Sequence, residues 1–204
     1  MGLYERHLCP HLTELALRSG HVHKERRRLL AEVRGRVLEI GFGTGLNLQH
    51  YREGVERLDI VDPAEGMHAR ARERVAASGL PVHEHRLSAE RLPFDDDQFD
   101  AVVCTFTLCT IPDPIAAAAE VRRVLRPGAA MHLLEHVGSL RPKVRRWQER
   151  LNPVQRVAGC GCNLDRDVDG ILAAAGFREI VLERFDQPRT PALFREHVRG
   201  KAIK

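Results

Sequence analysis

An acid and three glycines stand together in VLEIGFGTG, Val37 to Gly45. Glu39 precedes Gly41, Gly43 and Gly45, which fall at alternate positions. Glycines in such a turn let the backbone come close to a ligand. A dinucleotide fingerprint would read GxGxxG and set a helix N-terminus against pyrophosphate. Here the spacing is GxGxG, and a carboxylate two residues before it would repel phosphate. It suits a cationic ligand instead. A second acid, Asp62, follows Gly43 by nineteen positions. A carboxylate near that spacing can accept hydrogen bonds from both hydroxyls of a ribose. Asp62 also stands where it would cap a helix starting at Pro63-Ala64, and the two roles are compatible.

A ribose-bearing ligand that is cationic rather than phosphorylated points to S-adenosylmethionine, with its sulfonium and its ammonium. A glycine-rich turn alone would say little. The turn, Glu39 and Asp62 at this distance say much more.

The elements that must position these residues follow from periodicity. Leu3, Leu8, Leu12 and Leu15, then Val22, Leu29, Leu30 and Val33, recur at helical spacing and predict two N-terminal helices, the second closed by Gly35. RVLEI is a short buried strand. LNLQHY after Gly45 restarts as a helix, and LDIVD is a second strand. PAEGMHARARERVAAS is a helix, with Pro63 near its start, where proline is tolerated. PVHEHRL and FDAVVCTF are strands, the latter very apolar. DPIAAAAEVRRVL is a helix capped by Asp113 and stopped by RPG. AAMHLLEHV is a fifth strand, FREIVLERF a sixth, and EHVRGKAIK a seventh returning antiparallel at the sheet edge. Short apolar strands alternating with helices predict an α/β fold, a parallel sheet covered on both faces.

Length and composition agree with this. The 204 residues make one domain with a good core. With 43% hydrophobic and 29% charged residues, the chain is neither disordered nor a membrane span. The start, MGLYERHLCPHL, lacks the apolar core of a signal peptide, so the expected location is cytoplasmic. The five cysteines, Cys9, Cys104, Cys109, Cys160 and Cys162, include no CxxC pair. Neither a disulfide framework nor a zinc ribbon is expected, and no metal is assigned; Cys160 and Cys162 lack a partner pair at ligand spacing. The net charge of +4 comes with 28 Arg against 4 Lys, a skew that looks like codon bias. KERRR at 24–28 and RPKVRRWQER at 141–150 read as solvated helix faces, or as attraction to anionic lipid, nucleic acid or substrate.

The chain resembles the class I S-adenosylmethionine-dependent methyltransferases over nearly its whole length. VLEIGFGTG looks like their first motif and LDIVDPAEGM like their second. SAERLPFDDDQFDAVVC resembles the segment carrying the third loop and fourth strand, and EVRRVLRPGA the helix and turn before the fifth. The resemblance implies a Rossmann-like, mostly parallel seven-stranded sheet with an antiparallel edge strand and S-adenosylhomocysteine as product. It implies a single domain over 1–204: an N-terminal helical cap (1–34), a cofactor-binding core (35–137), an insertion over the active site (138–176) and the last two strands (177–204). The implied cofactor-binding residues are Glu39, Gly41, Phe42, Gly43, Thr44, Gly45, Asn47, Asp62, Pro63, Met67, Ser88, Ala89, Glu90, Thr105 and Phe106. Met67 packs near the ring; Ser88, Ala89 and Glu90 lie along the adenine edge, with Ser88 where many relatives have Asp. Thr105 and Phe106 hold the methionine end, although Phe106 would serve equally as core packing.

The acceptor must be sought elsewhere. VVCTFTLCT, RVLRPG, LLEHV, the Trp147-Gln148 helix, GCNLDR and HVRGKAIK resemble one branch, which includes the membrane-associated alkyl thiol methyltransferases of animals. No counterpart of those proteins' hydrophobic anchor is expected from MGLYERHLCPHL. The branch implies a small-molecule acceptor, most readily a thiol. A thiolate attacking a sulfonium annihilates charge, which a dry pocket favours. His136 would take the thiol proton, or Arg166 would stabilise the anion. As alternatives, His136 is simply a hydrogen-bonded strand-end histidine, and Arg166 pairs with Asp165, Asp167 or a helix end. Methylation of a quinone precursor or phospholipid amine is a second reading, with peripheral membrane contact through the basic helix and the N-terminal pair. A non-catalytic sensor or partner subunit is a third. No nucleic-acid partner is expected, since no binding module or NPPY-like tetrapeptide is present. Oligomeric state is not readable.

Overall fold

The computed structural model describes residues 14, 15, 17–63 and 69–204. Seven strands form one sheet: β1 (Gly35–Ile40), β2 (Val55–Val61), β3 (Val82–His85), β4 (Phe99–Thr105), β5 (Leu125–His136), β6 (Glu179–Asp186) and β7 (Glu196–Ile203). Their order is β3-β2-β1-β4-β5-β7-β6. All neighbours through β5 pair in parallel, and β7 runs antiparallel to both β5 and β6. The antiparallel strand is thus inserted one place in from the edge, which β6 occupies. The order reverses between β1 and β4, the point at which open α/β sheets open a crevice at the strands' carboxyl ends.

The two faces follow from side-chain alternation. Leu38, Ile40, Val102 and Cys104 point into one core with α3 (Pro114–Val124) and α5 (Val168–Ala174). Val37, Ala101 and Val103 point into the other, with Leu30 and Val33 beyond α1 (Gly20–Leu29) and with Ala71 of α2 (Ala69–Ser78). Asp113 caps α3 by accepting from the Ala116 N–H at 3.0 Å. A fifth helix, α4 (Pro142–Ala158), lies between β5 and α5 in the chain.

Two sequence expectations change. LNLQHY is not a helix but a single 3₁₀ turn at Leu48–His50. Asn47 and Tyr51 point inward, where their side chains bond Glu39. Gly35 does not merely close a helix. It is the first residue of β1, at φ +72°, and a Cβ there would overlap the Asp100 side chain. Within α2's expected span only Ala69–Ser78 is described. Leu3, Leu8 and Leu12 of the first predicted helix lie outside the described residues.

Candidate active site

The carboxyl ends of β1, β2, β4 and β5 converge on the loops that carry most of the singled-out residues. Glu39, next to last in β1, is buried. Its Oε1 accepts from Asn47 Nδ2 at 2.9 Å and its Oε2 from the Tyr51 hydroxyl at 2.6 Å. Burial pushes its carboxyl up to about 7, against those two hydrogen bonds and the nearby Arg26 charge. Gly41 and Gly43 both have positive φ. A Cβ on Gly41 would run into the Thr107 side chain, whereas Gly43 faces open space. The Gly43 N–H donates to Asp62 Oδ2 at 2.9 Å, so Asp62 braces the loop that it faces. Phe42 and Thr44 are buried; Phe42's ring belongs to a hydrophobic core and only its backbone lines the turn. Gly45 packs beside that ring. Pro63 is exposed, and Met67 lies outside the described residues.

One participant was absent from the expected set. Arg26 of α1 is buried, and its NH1 donates to Asn47 Oδ1 at 2.6 Å and to Thr105 Oγ1 at 2.7 Å. Asn47 Nδ2 reaches the same Thr105 oxygen at 3.1 Å. The guanidinium stands 5.2 Å from the centre of the Phe106 ring, a cation–π distance. Arg26 Nε is buried with no hydrogen-bond partner. Burial lowers its pKa to about 10, so it stays charged at neutral pH. Residues 24–28 read as a solvated run, yet Arg26 is four residues after Val22 and three before Leu29. That places it on the helix's apolar face, the signal that would have found it.

Phe106 adopts φ +56°, a left-handed conformation uncommon for a bulky residue. This turns the chain out of β4 so that its ring lies between Arg26 and His197, the latter edge-on at 5.6 Å. At the other loop, Ala89 is buried, and the Ser88 hydroxyl donates to Glu90 Oε2. Glu90 Oε1 accepts the Asp113 N–H at 2.9 Å. Ser88 therefore keeps its oxygen available as an acceptor, while Glu90 braces the start of α3.

The second half of the site lies past β4 and β5. Glu135 is fully buried, and its Oε1 accepts the N–H groups of Thr107 at 2.9 Å and Leu108 at 3.1 Å, together with the Cys104 thiol. Its Oε2 has no partner, and burial pushes its carboxyl up to about 7. His136 Nε2 lies 3.2 Å from the Leu193 carbonyl. A carbonyl only accepts, so Nε2 carries the hydrogen and Nδ1 the lone pair. Nδ1 is buried with no partner of hydrogen-bond geometry. Among the described residues Arg166 pairs with no acid: its NH2 donates to the Ile111 carbonyl at 2.6 Å, and its Nε is buried and unpartnered. The Cys162 thiol is held below the usual thiol range, first by a hydrogen bond from Cys109 and then by His136 and Arg166, against the opposing effect of burial. Cys109 is driven the other way by the same partner. Among the described residues no group of His, Cys, Asp and Glu is arranged to hold a metal ion.

These residues fit S-adenosylmethionine: a buried carboxylate for the ammonium, an orphaned buried guanidinium N–H for the carboxylate, and space over Gly43. Comparison with known proteins agrees. Residues 38–133 match the family model described as methyltransferase domain. Over 181 residues the chain is 33% identical to thiol S-methyltransferase TMT1A of Homo sapiens, covering 82% of this chain and 70% of that one. It is 31% identical over 204 residues to thiol S-methyltransferase TMT1B of Homo sapiens, covering 90% and 80%. Over 116 residues it is 43% identical to phosphatidylethanolamine N-methyltransferase of Cereibacter sphaeroides, covering 54% and 57%. The crystal structure of a putative methyltransferase from Bacillus halodurans shares the fold, with TM-score 0.70 and 22% identity, over 82% of this chain and 74% of that one. The chain belongs to the S-adenosylmethionine-dependent methyltransferases, in the family of the thiol S-methyltransferases TMT1A and TMT1B.

Proposed function

We propose that the acceptor is a small thiol, methylated on sulfur. The observation that carries this is the pair of buried nitrogens near Cys162, His136 Nδ1 and Arg166 Nε, that have no hydrogen-bond partner. A substrate sulfur placed beside them meets a base and a cation. The similarity to thiol S-methyltransferases supports the reading.

On the cofactor side, Glu39 receives the ammonium, Arg26 the carboxylate, Asp62 the ribose hydroxyls, and Ser88 and Ala89 the adenine edge. Gly41, Gly43 and Gly45 let the backbone close on the ligand. Bound there, S-adenosylmethionine supplies an electrophilic methyl group on a sulfonium. On the acceptor side, His136 Nδ1 takes the proton from the thiol S–H, and the Arg166 Nε–H faces the anion so formed. Phe106 and the buried Glu135 keep bulk water from the meeting point. The dry surroundings favour a step in which opposite charges cancel. No covalent enzyme intermediate is needed, so Cys162 is a neighbour rather than a nucleophile.

The test is S-adenosylhomocysteine release with hydrogen sulfide, a short alkyl thiol, a thiophenol, a catechol and an aminolipid. Turnover on the thiols, falling as pH drops below the acceptor's pKa, is expected. His136→Ala should lower thiol turnover while leaving S-adenosylhomocysteine affinity nearly intact; Arg26→Ala should weaken that affinity by about tenfold or more, having lost charged hydrogen bonds. Turnover confined to the aminolipid would overturn the thiol reading in favour of a lipid amine acceptor, which the 43% identity to a phosphatidylethanolamine N-methyltransferase favours. Cofactor binding without turnover on any acceptor would favour a sensor.

A further inference from the structure

Helix α4 is built inside out. Its fully buried residue is Gln148, whose Oε1 accepts the Ser139 N–H at 2.7 Å and whose Nε2 donates to the Leu193 carbonyl at 2.9 Å. One turn on, Asn152 accepts the Leu164 N–H and donates to Asp165, both at 2.8 Å. The inward face is thus held by amide hydrogen bonds. The large apolar side chains point the other way: Trp147 is 55% exposed, Val154 66% and Val157 78%, with Leu140 exposed just before the helix. Trp147, Val154 and Val157 are seven and three residues apart, which puts them on one helix face. Lys143 and Arg150 stand on the same stripe at i−4 and i+3 of Trp147, and Arg150 lies 5.8 Å from the Trp147 ring centre. From Pro142 to Ala158 there are five basic residues, Lys143, Arg145, Arg146, Arg150 and Arg156, against one acid, Glu149.

A soluble helix exposes its charges and buries its apolar side chains. An outward apolar stripe containing a tryptophan and flanked by cations has the composition of a helix lying in a membrane interface. Trp seats at headgroup level, and Lys and Arg reach to lipid phosphates while their stems stay apolar. We propose that the outer face of α4 docks the protein on an anionic lipid surface, with Trp147, Val154 and Val157 entering the headgroup boundary and Lys143 and Arg150 pairing with phosphates. The cationic balance selects lipid over a second copy, because two such faces would repel one another. The docking does not depend on which acceptor is methylated.

Trp147 is the only tryptophan in the chain, so its emission reports on this face alone. The full chain is mixed with vesicles of phosphatidylcholine, or of phosphatidylcholine with three-tenths phosphatidylglycerol. With the anionic vesicles, co-sedimentation is expected together with a shift of Trp147 emission to shorter wavelength and protection from aqueous acrylamide. Both should fade at high salt. Lys143→Glu with Arg150→Glu should weaken binding by about tenfold or more, each basic residue near an anionic surface being worth about 1 kcal/mol. Val154→Asp with Val157→Asp, at positions already exposed, should abolish the emission shift while leaving the circular dichroism spectrum unchanged. Co-sedimentation with unchanged Trp147 emission would overturn the proposal, since another surface would then be holding the lipid. So would the absence of binding, or an emission shift that depends on protein concentration without lipid, which would assign the face to a second copy.

Discussion

Gly41 and Gly43 share a left-handed backbone but differ in what surrounds them. At Gly41 a methyl group would collide with Thr107; at Gly43 it would enter the space above the turn. Gly41→Ala, which meets both collision and backbone strain, is therefore expected to lower the melting temperature more than Gly43→Ala, which meets backbone strain alone at φ +55° and should chiefly weaken S-adenosylhomocysteine binding, as thermal scans and calorimetry would show. Glu39 gives a pH dependence of known sign. Burial holds its carboxyl at about 7 without ligand, above the usual range. Only the ionised form attracts an ammonium, so affinity should strengthen as pH rises through 7 and weaken by up to about tenfold per unit below it. Titration calorimetry in wild type and Glu39→Gln would check this, since the variant should bind weakly with a flatter profile. Glu39 and the glycines were legible because acid and turn are adjacent in sequence. For Arg26 the spacing to Val22 and Leu29 marks an inward position, but not its partners Asn47 and Thr105, which lie 21 and 79 positions away.

All seven strands were legible as elements, β1, β2, β4 and β5 as apolar runs and the others by their place between turns, and α3 announced itself through Asp113 and Pro114. The stretch after Gly45 was misleading. LNLQHY has helical spacing, but Asn47 and Tyr51 are bound to Glu39 and the chain manages one 3₁₀ turn. Long-range hydrogen bonds override local pattern there. Helix α4 was legible as basic, yet which face turned inward depended on Gln148, whose partners come from the end of β5 and from residue 193. Gln148→Ala would leave the buried Ser139 N–H unpaired and the Leu193 carbonyl with His136 Nε2 alone. That should cost about 1–3 kcal/mol and lower the melting temperature by roughly 3–9 °C. A thermal scan showing a loss under 2 °C would mean that the helix is held by other contacts.

The termini of the described fold meet across the sheet. Glu25 of α1 pairs with Arg199 of β7, and Gln187 Nε2 donates to the Ser19 hydroxyl at 3.3 Å. The strand order at this end, β5-β7-β6, was not legible, since β6 and β7 are both amphipathic and their pairing is set by partners far off in sequence. That order has a bearing on how the molecule is made. The seventh strand is synthesised after the other six, yet its place is between two of them. Until residues 196–203 arrive, β5 has an open edge and β6 has no neighbour at all. Open edges recruit strands from other chains. Helix α1, which carries Arg26, also lacks its Glu25–Arg199 ion pair to β7 until then. Chains ending at residue 195 are expected to aggregate and to bind no cofactor, and adding the 196–204 peptide during refolding should rescue a fraction of them. Birth order thus leaves the sheet open until late: the fold closes only once residues 196–203 have been threaded into the middle of what came before.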